Sequence, residues 1–134
     1  MRRTSALVAA LVALAMAAPA TANEPDPFTA CGSDSQTGEC VELVNVGYGQ
    51  TVYLKGKVEP PHADLRAGVW HKGPLAGDPW ERWAIVEISA NGVMKYRWET
   101  TIEDGAQDSP HRVEFRIKGH GTSNRVRVRV WLGE

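Results

Sequence analysis

One stretch narrows the fold of this chain more than any other: from His111 to Leu132, apolar and polar residues alternate in two arms around a turn. The first arm is Arg112-Val113-Glu114-Phe115-Arg116-Ile117-Lys118, and the second is Arg125-Val126-Arg127-Val128-Arg129-Val130-Trp131-Leu132. Between them lies Gly119-His120-Gly121-Thr122-Ser123-Asn124. A period of two is the pattern of strands buried on one face. Val113, Phe115, Ile117, Val126, Val128, Val130 and Leu132 are therefore expected to face a core, with the arginines facing away. A lone hairpin is marginal in water, so earlier strands must supply an opposing layer.

Those strands are legible upstream. Cys40 to Val46, Gln50 to Val58, Leu65 to Lys72, Arg82 to Ser89 and Val93 to Thr100 carry strand patterns, separated by Gly, Pro and Asn clusters. Asn91-Gly92 reads as a type I′ hairpin turn joining the fourth strand to the fifth. No helical period occurs after residue 22. The expected fold is all-β, an antiparallel sandwich of about seven strands.

Residues 1–22 read as a cleaved export signal: Arg2 and Arg3, an apolar run from Ala6 to Ala18, then Ala20-Thr21-Ala22 before Asn23. That run is too short to span a bilayer, and no later stretch is long and apolar enough to do so. Residues 23–39 are expected to form a leader and a disulfide loop, and residues 40–134 the sandwich domain. Cys31 and Cys40 are the only cysteines. In an exported chain they are expected to pair, stabilising by roughly 2–3 kcal/mol and pinning the N-terminal segment. Two cysteines alone cannot complete a metal site. Lipidation at Cys31 lacks a cleavage box adjoining the apolar run.

Setting Arg2 and Arg3 aside, 13 basic residues stand against 16 acidic ones. Residues 109–134 reverse this balance, with 6 basic and 2 acidic residues. Thr51 to Val58, Trp80 to Trp83, Asn91-Gly92, Val113-Glu114-Phe115-Arg116 and Ser123-Asn124-Arg125-Val126 occur in an order that resembles short immunoglobulin-like or fibronectin type III-like modules of exported, actinobacterial-type proteins. The resemblance implies an immunoglobulin-like sandwich in a spacer, accessory or binding role, and it implies no catalytic residue. The cysteine pair departs from antibody domains, lying near the N-terminus instead of between the sheets.

Catalytic patterns are sparse. His62, His71, His111 and His120 are scattered without metal-ligand spacing, and no serine sits in a Gly-x-Ser-x-Gly elbow. Asp34, Ser35 and Glu39 fall short of the roughly six to eight oxygens calcium takes. The chain is expected to be non-catalytic, without metal or cofactor, and it carries no specific nucleic-acid signal. In an immunoglobulin-like order, the third, fourth, sixth and seventh strands share a sheet. Trp70, Trp83 and Trp131 would then lie outward on the surface that carries Arg112, Arg116, Lys118, Arg125, Arg127 and Arg129. Glu114 is the only local counter-charge. Tryptophans among cations suit an anionic ligand, but arginine stems also shelter tryptophans without any ligand. Three functions follow: a secreted binding or accessory module for an anionic cell-envelope polymer or an acidic protein surface; a structural domain acting through sheet-edge pairing; or a small secreted enzyme or enzyme inhibitor.

Overall fold

The computed structural model describes residues 27–106 and 108–132. The expected export signal, its cleavage site and the start of the expected leader lie outside these residues. Among the described residues nine strands follow in order: β1 (Phe28–Ser33), β2 (Leu43–Gly47), β3 (Thr51–Val58), β4 (Arg66–Lys72), β5 (Trp80–Glu87), β6 (Val93–Glu99), β7 (His111–Ile117), β8 (Gly121–Thr122) and β9 (Val126–Trp131). A 3-10 turn, Ile102–Asp104, interrupts them. Two sheets result, ordered β1-β3-β6 and β2-β9-β7-β4-β5, with β8 added to β7. All pairings between these strands are antiparallel except β2 on β9, which runs parallel.

Alternation becomes burial in both layers. Val52, Leu54 and Val58 of β3 and Met94 and Trp98 of β6 meet Ala67 and Val69 of β4, Val113, Phe115 and Ile117 of β7, and Val126, Val128 and Val130 of β9. Leu132 departs from the expectation at 46% exposure. It lies one residue past the end of β9, with its side chain over Gly105.

Four further departures have physical causes. First, β1 occupies the stretch expected as leader and loop, pairing Phe28–Ser33 along β3. The Asn124 side chain clamps it from the other sheet, donating to Ala30 O at 2.9 Å and accepting from Ala30 N at 2.7 Å. Second, the arms of the last hairpin pair directly only over His111–Val113 against Val126–Val128. The tip is closed by β8, and Ser123 then turns inward, its hydroxyl accepting from Phe115 N at 2.9 Å. Third, Asn91-Gly92 does not close a hairpin, because β5 and β6 belong to different sheets. Gly92 has φ +82°, while Asn91 is not left-handed, so the turn is not type I′. Ser89 O accepts from Gly92 N and Ser89 N donates to Val93 O, both at 2.9 Å, and the chain crosses between layers. Fourth, a bulge in β5 shifts its register on β4 between Val69 and Trp70.

Candidate ligand-binding face

The bulge decides which tryptophans face outward. Val69 pairs with Ala84 and Trp70 with Arg82, so Trp83 is the extra residue. Its ring turns into the sandwich against Trp98, at a centroid distance of 4.9 Å. The expectation of an outward Trp83 is thereby overturned. Trp70 does lie on the outer face of the six-stranded sheet, in register with Glu114 and Arg82. Its indole folds back over Gly68, where a Cβ would stand 2.8 Å from Nε1. Only glycine admits the ring there.

Around Trp70 the basic residues are internally satisfied. Glu114, 6% exposed, receives Arg116 Nε at 2.7 Å and faces Arg125 Nε at 3.6 Å. The Arg116 guanidinium lies 4.2 Å from the Trp70 ring centre and 5.1 Å from that of Trp80. Arg125 stands 5.3 Å from the Trp80 centre. The cluster interleaves two cations with two rings above one carboxylate, an arrangement favourable in itself. Trp80 was missed in the sequence because Gly77-Asp78-Pro79 extends the apparent loop. Lys118 is exposed in the turn after β7, away from the strand ladder.

Arg112, Arg127 and Arg129 are arranged differently. Arg112 is directly opposite Arg127, and the register sets Arg129 one diagonal step away, roughly 7–8 Å between Cα atoms. Lys72 of β4 continues the Arg112–Arg127 row, but its ammonium is held by the Asp78 carbonyl. None of the three arginines makes an ion pair among the described residues. Arg112 donates through Nη2 to Gly73 O at 3.3 Å, while Nε of Arg112 and of Arg129 are buried without an acceptor. Trp131 follows Arg127 and Arg129 at the same parity on β9, is 40% exposed, and is in register with Gly47 of β2. The expected basic face thus divides: Arg116, Arg125 and Trp70 around Glu114, and Arg112, Arg127, Arg129 and Trp131 without an ion-pair partner among the described residues.

Two histidines that look unrelated in sequence meet inside the sandwich. His71 Nε2 is 2.8 Å from His111 Nδ1, and His111 Nε2 is 2.6 Å from Asp104 O. A carbonyl only accepts, so His111 carries a proton on Nε2; with both rings neutral, its Nδ1 accepts and His71 donates through Nε2. His71 stacks on Trp83 at 3.9 Å. Burial, with His111 beside it, lowers the His71 pKa to about 4, against the opposing pull of Asp104 and Asp78. The parity that places Ala67 and Val69 inward also places His71 inward, as Val113 and Phe115 do for His111; that signal was present in the sequence. Among the described residues no three His, Cys, Asp or Glu side chains gather as a metal site. Cys31 and Cys40 are joined in a disulfide with Cα atoms 5.3 Å apart. Set beside known proteins, the chain matches no family model and no curated protein.

Proposed function

We propose that this chain is an exported, non-catalytic immunoglobulin-like sandwich that binds an anionic cell-envelope polymer or an acidic protein surface. The observation that carries the reading is the triplet Arg112, Arg127 and Arg129, which has no ion-pair partner among the described residues, next to a cluster in which Glu114 engages Arg116 and Arg125. Like charges directly opposite in a sheet are destabilising, and an anion bridging the triplet would reverse that term. Trp131 supplies an adjoining flat apolar surface. The immunoglobulin-like assignment is supported by the sheet orders and by the division of the first strands between layers, β1 on β3 and β2 parallel to β9. Export is supported by Arg2, Arg3, the Ala6–Ala18 run and a disulfide, which persists in oxidising compartments.

The test compares wild type with Arg112→Ser/Arg127→Ser/Arg129→Ser in co-sedimentation with a purified anionic envelope polymer. Loss of binding by the variant, with its melting temperature retained, supports the reading. Equal binding refutes it in favour of a structural domain that pairs through a sheet edge, a role for which the exposed Ile85 on edge strand β5 offers a contact.

A further inference from the structure

The opposite sheet carries a second, separate concentration of cations. On its outer face Lys55 of β3 pairs directly with Lys95 of β6, and Tyr53 with Arg97. Arg97 lies 5.7 Å from the Tyr53 ring centre and 3.7 Å from Glu99. Lys55 and Lys95 make no ion pair among the described residues, and their side chains leave adjacent positions about 5 Å apart.

The disulfide loop overhangs this floor. Ser33, Ser35, Gln36, Gly38 and Cys40 form one side, and Tyr53, Lys55, Lys95, Tyr96 and Arg97 the other, of a cleft of about 470 Å³. Its size is within the roughly 300–1,000 Å³ of small-molecule sites. The loop is held from within: Ser33 Oγ donates to Ser35 O at 2.7 Å and accepts from Ser35 N at 3.2 Å. At its base, Gly32 and Val41 exchange backbone hydrogen bonds of 2.8 and 2.7 Å beside the Cys31–Cys40 bridge. A wall ordered before binding spares the ligand the entropic cost of ordering it.

We infer that this cleft between the disulfide loop and strands β3 and β6 binds an anionic sugar, its carboxylate or phosphate seated between Lys55 and Lys95. The chemistry of the lining selects that class. Two ammonium groups with no ion-pair partner among the described residues, and a guanidinium shared with Glu99, attract an anion; the Ser35 hydroxyl and Gln36 amide offer donors and acceptors to sugar hydroxyls; the Tyr53 ring gives an apolar surface. Asp34 and Glu39, the loop's acids, are not part of the lining. The disulfide acquires a second role here, holding one wall of a site as well as tethering the N-terminal strand. This site lies on the other sheet from Arg112, Arg127 and Arg129 and stands independently of that reading.

Backbone amide shifts in an NMR titration test it, with glucuronic acid, glucose phosphate, inorganic phosphate and glucose as separate probes. Glucuronic acid or glucose phosphate should shift the amides of Ser35, Gln36, Tyr53, Lys55, Lys95 and Arg97, and the tighter of the two identifies the anionic group. Lys55→Gln/Lys95→Gln should weaken that probe at least about tenfold, the loss expected from one charge-assisted contact. Ser35→Ala/Gln36→Ala should weaken it as well, and the Arg112→Ser/Arg127→Ser/Arg129→Ser variant should bind as wild type does. Unchanged affinity in the lysine variant, or equal shifts with glucose, would overturn the site. Inorganic phosphate binding as tightly as either anionic sugar would overturn the sugar assignment, and wild-type affinity in the Ser35/Gln36 variant would overturn the role of the loop.

Discussion

Acidification should destabilise this protein through His71 before most carboxylates protonate. The ring lies between Trp83 and His111 and near Trp98, and its pKa falls from 6.5 to about 4 because burial disfavours the imidazolium and His111 opposes a second charge. The folded-state pKa is below the unfolded one, so between pH 6.5 and about 4 the unfolded chain binds more protons. Stability is therefore complete above pH 6.5 and declines as pH falls through that window. At about 1.4 kcal/mol per pH unit, the group accounts for at most about 3.5 kcal/mol. The Trp83 ring face offsets part of this by attracting the cation. Urea unfolding followed by tryptophan fluorescence at pH 7, 5.5 and 4, in wild type and His71→Gln, isolates the effect. The Gln amide still donates to His111 Nδ1 but does not titrate. The stability advantage of wild type over the variant should shrink by about 2–3 kcal/mol across the range. An advantage independent of pH would refute the reasoning.

Three further outcomes follow from the packing. Gly92→Val should lower stability by on the order of 2–4 kcal/mol, since φ is +82° and a Cβ would collide with Val58 O and crowd Pro61 Cα at 3.1 Å; an unchanged melting temperature would contradict the layer crossing. Glu114→Gln should cost on the order of 1–2 kcal/mol, less than a fully buried pair because Arg116 and Arg125 keep solvent access, and raising salt should narrow the difference between the two proteins in a melting experiment. Phe115→Ala should cost about 3–5 kcal/mol and Leu132→Ala under about 1 kcal/mol by chemical denaturation, because the first ring is 1% exposed and the second side chain 46%.

Alternation carried much of this fold in the sequence. In β7 and β9 the expected inward residues Val113, Phe115, Ile117, Val126, Val128 and Val130 are the buried ones, because a one-residue slip would expose a whole apolar set. Local pattern failed where a distant partner decides. Asn91-Gly92 signals a turn, but whether the flanking strands pair depends on β3, which takes β6 into the other sheet. A single bulged residue reversed Trp83. β1 is short and follows Pro27, and its pairing along β3 and its Asn124 clamp both come from far along the chain. At the candidate face, the residue types were legible and their division was not. Glu114 reads as one acid among many cations; only the register shows that it engages Arg116 and Arg125 and leaves Arg112, Arg127 and Arg129.

That division is tested most directly by measuring affinity for a purified anionic envelope polymer at low and high salt in three proteins. These are wild type, Arg112→Ser/Arg127→Ser/Arg129→Ser, and Arg116→Ser/Arg125→Ser. Wild type should bind more weakly as salt rises, because screening shortens the reach of exposed charges. The first variant should lose both the affinity and its salt dependence, while the second, whose charges Glu114 already offsets in part, should keep most of both. Equal losses in the two variants, or binding indifferent to salt in wild type, would contradict the account.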